Sequence, residues 1–440
     1  MASPVTAQEA NEELIEMVIG FMSDEDKDIR AIAFEQIRGE AKGEEATKQF
    51  AAQLPKLPVD AQVGLLSALA DRGDASAKPA IAKFLESSDA NLSKAAVNAI
   101  AKLGDASDAA TLIRMLGGTG VGKASARQSL VQLQGDGVSD AIVKAMNGLP
   151  VAMQVELMSI LTAKRSKDQI PALLKYANGN DAKLRAAAMK SLGQLASPEH
   201  VGEMVKAVLK AKKGNERNDA EKNLMFVCRR IEDKNAQAKP VLAAMETLKS
   251  VERTAMIPTL GRVGGSLAWK EVKNAIASRD SAMHLAGIRA ISNWPNAEVV
   301  DDLFAIAKSD KHADHKRIAR MSLLRIAPLP DGRSDAEKLA LLQKAMKIAA
   351  NDKEKNYGLK RAAPIRTVET LRYLLPFVDQ ARFSKEACQS IVELAHDRGL
   401  RDSNKPEFHA ALDKVIATTK DAKLIDRANR YKAGKTWVRQ

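Results

Sequence analysis

Three groups of residues in this chain have types and spacings that chemistry could use. Gly117-Gly118-Thr119-Gly120-Val121-Gly122-Lys123-Ala124 comes within one residue of the phosphate-binding pattern GxxxxGK followed by Ser or Thr. A working loop of that kind wraps backbone N–H groups around phosphates, aims its Lys at them and holds magnesium with the hydroxyl. Ala124 stands where the hydroxyl belongs, Ser125 comes one place late, and the preceding Ala109 to Leu116 has helical spacing where a buried strand is required. The segment is expected to be a turn between helices. His312 and His315, with Asp310 and Asp314, form an HxxH arrangement of metal-ligand types. They fall where one helix gives way to the next, a place that favours polar residues, so no metal is expected there. Cys228 and Cys388 are far apart and lie within helical patterns, with no CxxC or Cys/His cluster. Neither a zinc site nor a disulfide framework follows from them.

The elements that must position these residues are written as one helix repeated at intervals of about thirty-one residues. Its clearest copies run Asp89 to Leu103 and Asp181 to Leu195, with a looser one from Asp280 to Trp294. Small or apolar residues recur three, six, seven, ten, eleven and fourteen places after each start, for example Leu184, Ala187, Ala188, Ser191, Leu192 and Leu195. At about 100° per residue these share one broad helical face. Starts can be set at Asp26, Pro58, Asp89, Thr119, Leu149, Asp181, Gly214, Lys249, Asp280 and His312. Second amphipathic segments such as Ala141 to Met146 and Val300 to Ala307 lie between them, so each unit is a helix pair. No pair can enclose a core alone, and stacking removes the apolar faces from water.

That frame gives most candidate residues a structural role. Asp26, Asp89, Asp181 and Asp280 precede their helices by the offset of an N-cap. Arg30 and Arg185, four places on, are expected to bridge turns or repeats, and His284 stands at the same place as a polar repeat residue. Cys228 takes the fourteenth place, where other copies carry Leu103, Leu195 and Trp294, and is expected to be a buried thiol.

The pattern resembles HEAT repeats, and its Asp, aliphatic residue three places on and paired Ala resemble the phycobilisome-lyase type of HEAT-like repeat. The resemblance covers roughly Glu12 to Pro328 and implies an all-α, right-handed α-solenoid of about ten stacked antiparallel helix pairs, HEAT-like or ARM-like. It formally implies chromophore lyase or isomerase activity, and HEAT-like folds include DNA glycosylases. Nothing in the residues specifies a bilin pocket or the aromatic-plus-Asp constellation of base handling, although Trp269 and Trp294 are candidates for the latter. Fold alone does not assign activity.

Composition agrees with this architecture. Of 440 residues 45% are hydrophobic but only 4% aromatic, as Ala- and Leu-rich stacked helices allow. The rhythm stops at Pro328, which divides the chain into a repeat array, 1–328, and a divergent helical C-terminal cap, 329–440, continuing it. Glu12 to Phe21 reads as a solvated N-terminal cover. No eighteen-residue apolar run is present, so no membrane span is expected. Met1 to Ala10 lacks the features of a signal peptide, and Met1-Ala2-Ser3 could be an initiating remnant ahead of a cleavage point. The expected location is the cytoplasm, or else the chain is the mature part of an exported protein.

Charge is uneven. Residues 1–200 hold 22 Lys/Arg against 25 Asp/Glu, and residues 201–440 hold 46 against 30. Positions five, nine and thirteen places from each start face away from the apolar side and form a ladder that drifts from acidic and neutral to basic. Lys190, Arg262, Arg289, Arg317 and Arg325 on it are the expected partner-binding residues. No catalytic or cofactor-binding set is visible, and an enzyme should show one. The expected function is a non-enzymatic scaffold that binds a protein or peptide, acidic in character, on its concave face; the alternative is a binder of nucleic acid or another anionic polymer through the basic half.

Overall fold

The computed structural model describes residues 7–41, 43–118 and 121–437, which are helical apart from connections and single 3-10 turns. The polar start at 1–6 and Thr119, the chosen start of the fourth repeat, lie outside the described residues. Among the described residues no helix is long and apolar enough to cross a membrane. The chain separates into two compact units, Met1–Val227 and Cys228–Gln440. That division falls at the end of the Asn215–Cys228 helix, a hundred residues before the one suggested by the loss of rhythm at Pro328.

In the first unit the repeated helices stack in sequence to form one layer, here the template layer: Lys27–Gly39, Val59–Arg72, Ala90–Leu103, Val121–Gln132, Val151–Ala163 and Ala182–Leu195 each pack on the next. Companion helices pair with them from the other side, such as Ala109–Leu116 with Val121–Gln132 and Ile170–Ala177 with Ala182–Leu195. The expected N-caps are present: the carboxylates of Asp89 and Asp181 each accept two amide N–H bonds at the helix start, and Asp26 accepts one. Capping satisfies donors the helix itself cannot and contributes about 1 kcal/mol per helix.

The second unit repeats this plan with Ser250–Val263, Ser281–Ser292, Ala313–Ile326, Asp352–Ala362 and Ser384–Leu394 in its template layer. Among its companions are Lys239–Glu246, Ser266–Ile276 and Val300–Ser309. Layering therefore runs on past Pro328 although the spacing pattern does not. The caps there change to Ser334, Asn351 and Thr367, each accepting from an amide at the helix start. The small-residue role passes to Gly358, whose missing Cβ would sit 2.2 Å from the Met346 sulfur.

Close approach is tightest around the Asp280 copy. A Cβ on Gly287 would lie 2.6 Å from the backbone nitrogen of Ile276, and one on Gly261 would lie 2.1 Å from the carbonyl oxygen of Ala290. Backbone cannot yield as a side-chain tip can, so the absence of side chains at these places sets the helix spacing. Gly287→Ala is expected to lower stability by about 1–3 kcal/mol through overpacking. Thermal melts followed by circular dichroism check this; an unchanged Tm would mean the helices are free to move apart.

Candidate binding surface of the template layer

Beside the template helices of the first unit lies a groove of about 1070 Å³, walled by Val151–Ala163, Ala182–Leu195 and Asn215–Cys228. The helix periodicity that buries Leu157, Leu161, Leu192 and Leu224 leaves Val155, Ala187, Lys190 and Phe226 on the other side, in the groove lining. Phe226 keeps 50% of its surface exposed. Lys183, Lys190, Lys222 and Arg127 line the groove as cations, with Asp219 as its acid. Arg127 is already paired with Glu156 at 2.7 Å and Lys222 with Asp219 at 3.0 Å. Lys183 and Lys190 make no ion pair among the described residues. Met158, ninth-place residue of its repeat, is fully buried rather than part of a solvent-facing ladder.

In the second unit the ladder arginines divide by what they already hold. Arg289 is exposed. Arg317 is exposed and lies 3.5 Å from Asp314, one turn away. Arg262 is half-buried. Arg325 is used internally: Nε donates to the Ser292 carbonyl at 3.1 Å and Nη2 to the Trp294 carbonyl at 2.7 Å, one repeat back. Burial, together with the neighbouring Arg361 and Arg262 guanidiniums, pushes its pKa down to about 10. Three cations thus crowd one part of the layer, with Arg361 also donating to the Arg325 carbonyl at 3.0 Å.

The bridging arginines behave as the repeat frame requires. Arg30 donates to the carbonyls of Asp24 and Glu25 and to Asp60 at 2.8 Å. Arg185 does the same toward Gly179, Asn180 and Glu216. His284 fills that place in its own repeat, with Nδ1 at the Ile276 carbonyl and Nε2 at Asp310. The link from His284 to Asp310 and His315 escapes a reading by spacing, because it joins two repeats through side chains. Its one sequence signal is a His at an Arg place.

The remaining candidates fall into place as structure. Cys228 is fully buried, and loss of hydration raises its thiol pKa to about 12. Trp294 is only 1% exposed and meets Trp269 edge to face at 5.2 Å, so it offers no open ring to a base. The near-phosphate loop lies between helices Ala109–Leu116 and Val121–Gln132, with no strand before it; its Thr119 and Gly120 lie outside the described residues.

Residues 47–131, within the first unit, match the family model described as HEAT repeats, and both units are built of stacked helix pairs. Among curated proteins none matches the chain. Of solved structures, a karyopherin bound to the extreme C-terminus of a protein phosphatase is similar at 11% identity over 94% of this chain, TM-score 0.44. Yeast importin-β aligns at 10% identity over 96% of this chain and 67% of its own, TM-score 0.42. The complex of CpcE and CpcF of phycocyanin lyase from Nostoc sp. PCC7120 aligns at 22% identity over 57% of this chain and 97% of its own, TM-score 0.27. The chain spans 55% of the length of the first karyopherin.

Arg325→Ala is expected to lower stability by about 1–3 kcal/mol, because two partly buried carbonyls lose a charged donor. Arg289→Ala should change it by less than about 0.5 kcal/mol, as an exposed substitution. Equal losses in urea unfolding of the two variants would contradict this division.

Proposed function

We propose that this chain of HEAT-like repeats is a non-enzymatic scaffold that holds a protein or peptide partner on the solvent side of its template layer, the concave side of a solenoid. The observation that carries the reading is the half-exposed Phe226 beside Lys183 and Lys190 in the groove of the first unit. Covering the rest of that ring would release about 1 kcal/mol from apolar burial. The two lysines would favour carboxylates on either side of the apolar contact. The partner that suits this surface is a segment with an apolar anchor flanked by acidic residues. Lys190, Arg289, Arg317 and Arg262 are the proposed ladder contacts, and Arg325 contributes by holding the layer in place.

Affinity capture from the native source, using the chain and its Lys190→Glu/Phe226→Ala double variant, tests this. The chain should retain a defined partner and the variant should lose at least tenfold of it, corresponding to about 1.4 kcal/mol, with unchanged helical circular dichroism. Capture of the same partner by both at equal strength would sink the reading.

The second reading, an anionic polymer such as nucleic acid, is favoured by the charge of the second unit, whose residues 228–440 hold 40 Lys/Arg against 26 Asp/Glu. The crowded Arg262, Arg325 and Arg361 belong to it as well. Polymer binding would weaken steeply with salt, log K falling with a slope near −0.9 per neutralised duplex phosphate. Fluorescence anisotropy of a labelled duplex across a salt series discriminates: a flat or absent response removes this reading.

A further inference from the structure

His284, Asp310 and His315 converge where Ser281–Ser292 meets Ala313–Ile326 in the second unit. Asp310 is nearly buried, its side chain 6% exposed, and His315 is 10% exposed. The equivalent place in two other repeats carries a permanently charged arginine that runs to an acid of the next repeat, Arg30 to Asp60 and Arg185 to Glu216. Here the fixed charge is gone, and the acid that His284 meets, Asp310, comes from the end of the Val300–Ser309 helix and not from the first turn of the next template helix.

Nδ1 of His284 lies 2.6 Å from the Ile276 carbonyl, which can only accept, so Nδ1 carries the hydrogen. Nε2 of the neutral ring then presents a lone pair, and it faces Oδ2 of Asp310 at 3.1 Å, another acceptor. Nδ1 of His315 approaches the other carboxylate oxygen at 3.2 Å. A positive centre among these atoms resolves the conflict.

We propose that this cluster binds a divalent transition metal ion of the zinc class through His284 Nε2, an Asp310 carboxylate oxygen and His315 Nδ1. The three ligand atoms lie within 4.8 Å of one another. Each ring nitrogen stands close to the roughly 3.3 Å edge of a tetrahedron with bonds of about 2.0–2.1 Å from its own Asp310 oxygen, Oδ2 for His284 and Oδ1 for His315, so the carboxylate lies between the two imidazoles. Imidazole and carboxylate are ligands such ions accept, and the Ile276 carbonyl supplies the outer partner that fixes a ligating His in its tautomer. The His312 amide steadies Asp310 through a 2.8 Å bond to Oδ1. The His312 ring, its centroid 4.6 Å from that of His315, or water would complete the coordination. Bound there, the ion would replace the missing arginine charge and clamp two successive repeats. The HxxH pair alone does not signal a metal; His284, one repeat earlier, supplies the third ligand type. This inference is independent of the proposed scaffold function.

Tag-free full-length protein, dialysed against EDTA and then into a chelator-free buffer near neutral pH, is titrated with ZnCl2 by calorimetry, with thermal melts in parallel. Binding of about one equivalent and a raised Tm are expected. His284→Arg restores the charge used in the other repeats; it should fold, lose zinc affinity at least tenfold, and melt at a temperature zinc no longer changes. His315→Gln should also lose at least tenfold, and decides the matter should His284→Arg fail to fold. Absence of zinc binding in the unsubstituted chain, or unchanged affinity in His315→Gln, overturns the proposal. So does a Tm that rises with added acid but not with zinc, since a proton would then be the only positive centre.

Discussion

Each repeat is held to the one before it by packing between template helices, and cationic side chains lock that packing by reaching back one period to the end of the preceding helix. Arg72 donates to the carbonyls of Ile37, Glu40 and Ala41, Lys164 to those of Val131 and Leu133, and Arg325 to those of Ser292 and Trp294. These carbonyls are what a helix leaves unsatisfied at its C-terminus, where positive charge is also favoured by the dipole. Ser129 and Ser390 add hydroxyl bonds to the Val97 and Leu359 carbonyls, again one repeat back. Because these bonds join neighbours and not distant parts, stability within each unit is a chain of nearest-neighbour terms. The groove and the ladder exist only while that spacing is kept.

Much of this was legible in the sequence because it is periodic. The Asp N-caps, the buried Cys228 and the bridging Arg30 and Arg185 follow from place in the repeat, and the structure puts each in that role. What escaped is aperiodic or depends on side-chain direction. Arg325 sits on the ladder by spacing, yet its guanidinium turns to backbone carbonyls instead of solvent. Beyond Pro328 the caps are Ser, Asn and Thr and the close-approach glycine is displaced, so a template keyed to Asp and paired Ala does not place them. The division at Val227 leaves no mark in the rhythm.

The same rule separates residues that hold the array from residues that are available to a partner. Cations with carbonyls or carboxylates one repeat away belong to the array; Lys190 and Arg289, exposed on the layer, belong to the surface. His284 belongs to neither class. It occupies a bridging place with a side chain whose charge is conditional, and that departure from the repeat is what directs attention to the joint it shares with Asp310 and His315.

The central claim is that the units are held repeat by repeat through these backward bonds. Hydrogen–deuterium exchange on Arg72→Ala tests it most directly. Amides in the last turn of the Lys27–Gly39 helix and the loop to Gly43 should exchange faster, while those of Ala182–Leu195, several repeats away, keep their rates. Uniform acceleration throughout the first unit, or no change near Gly39, would contradict the account.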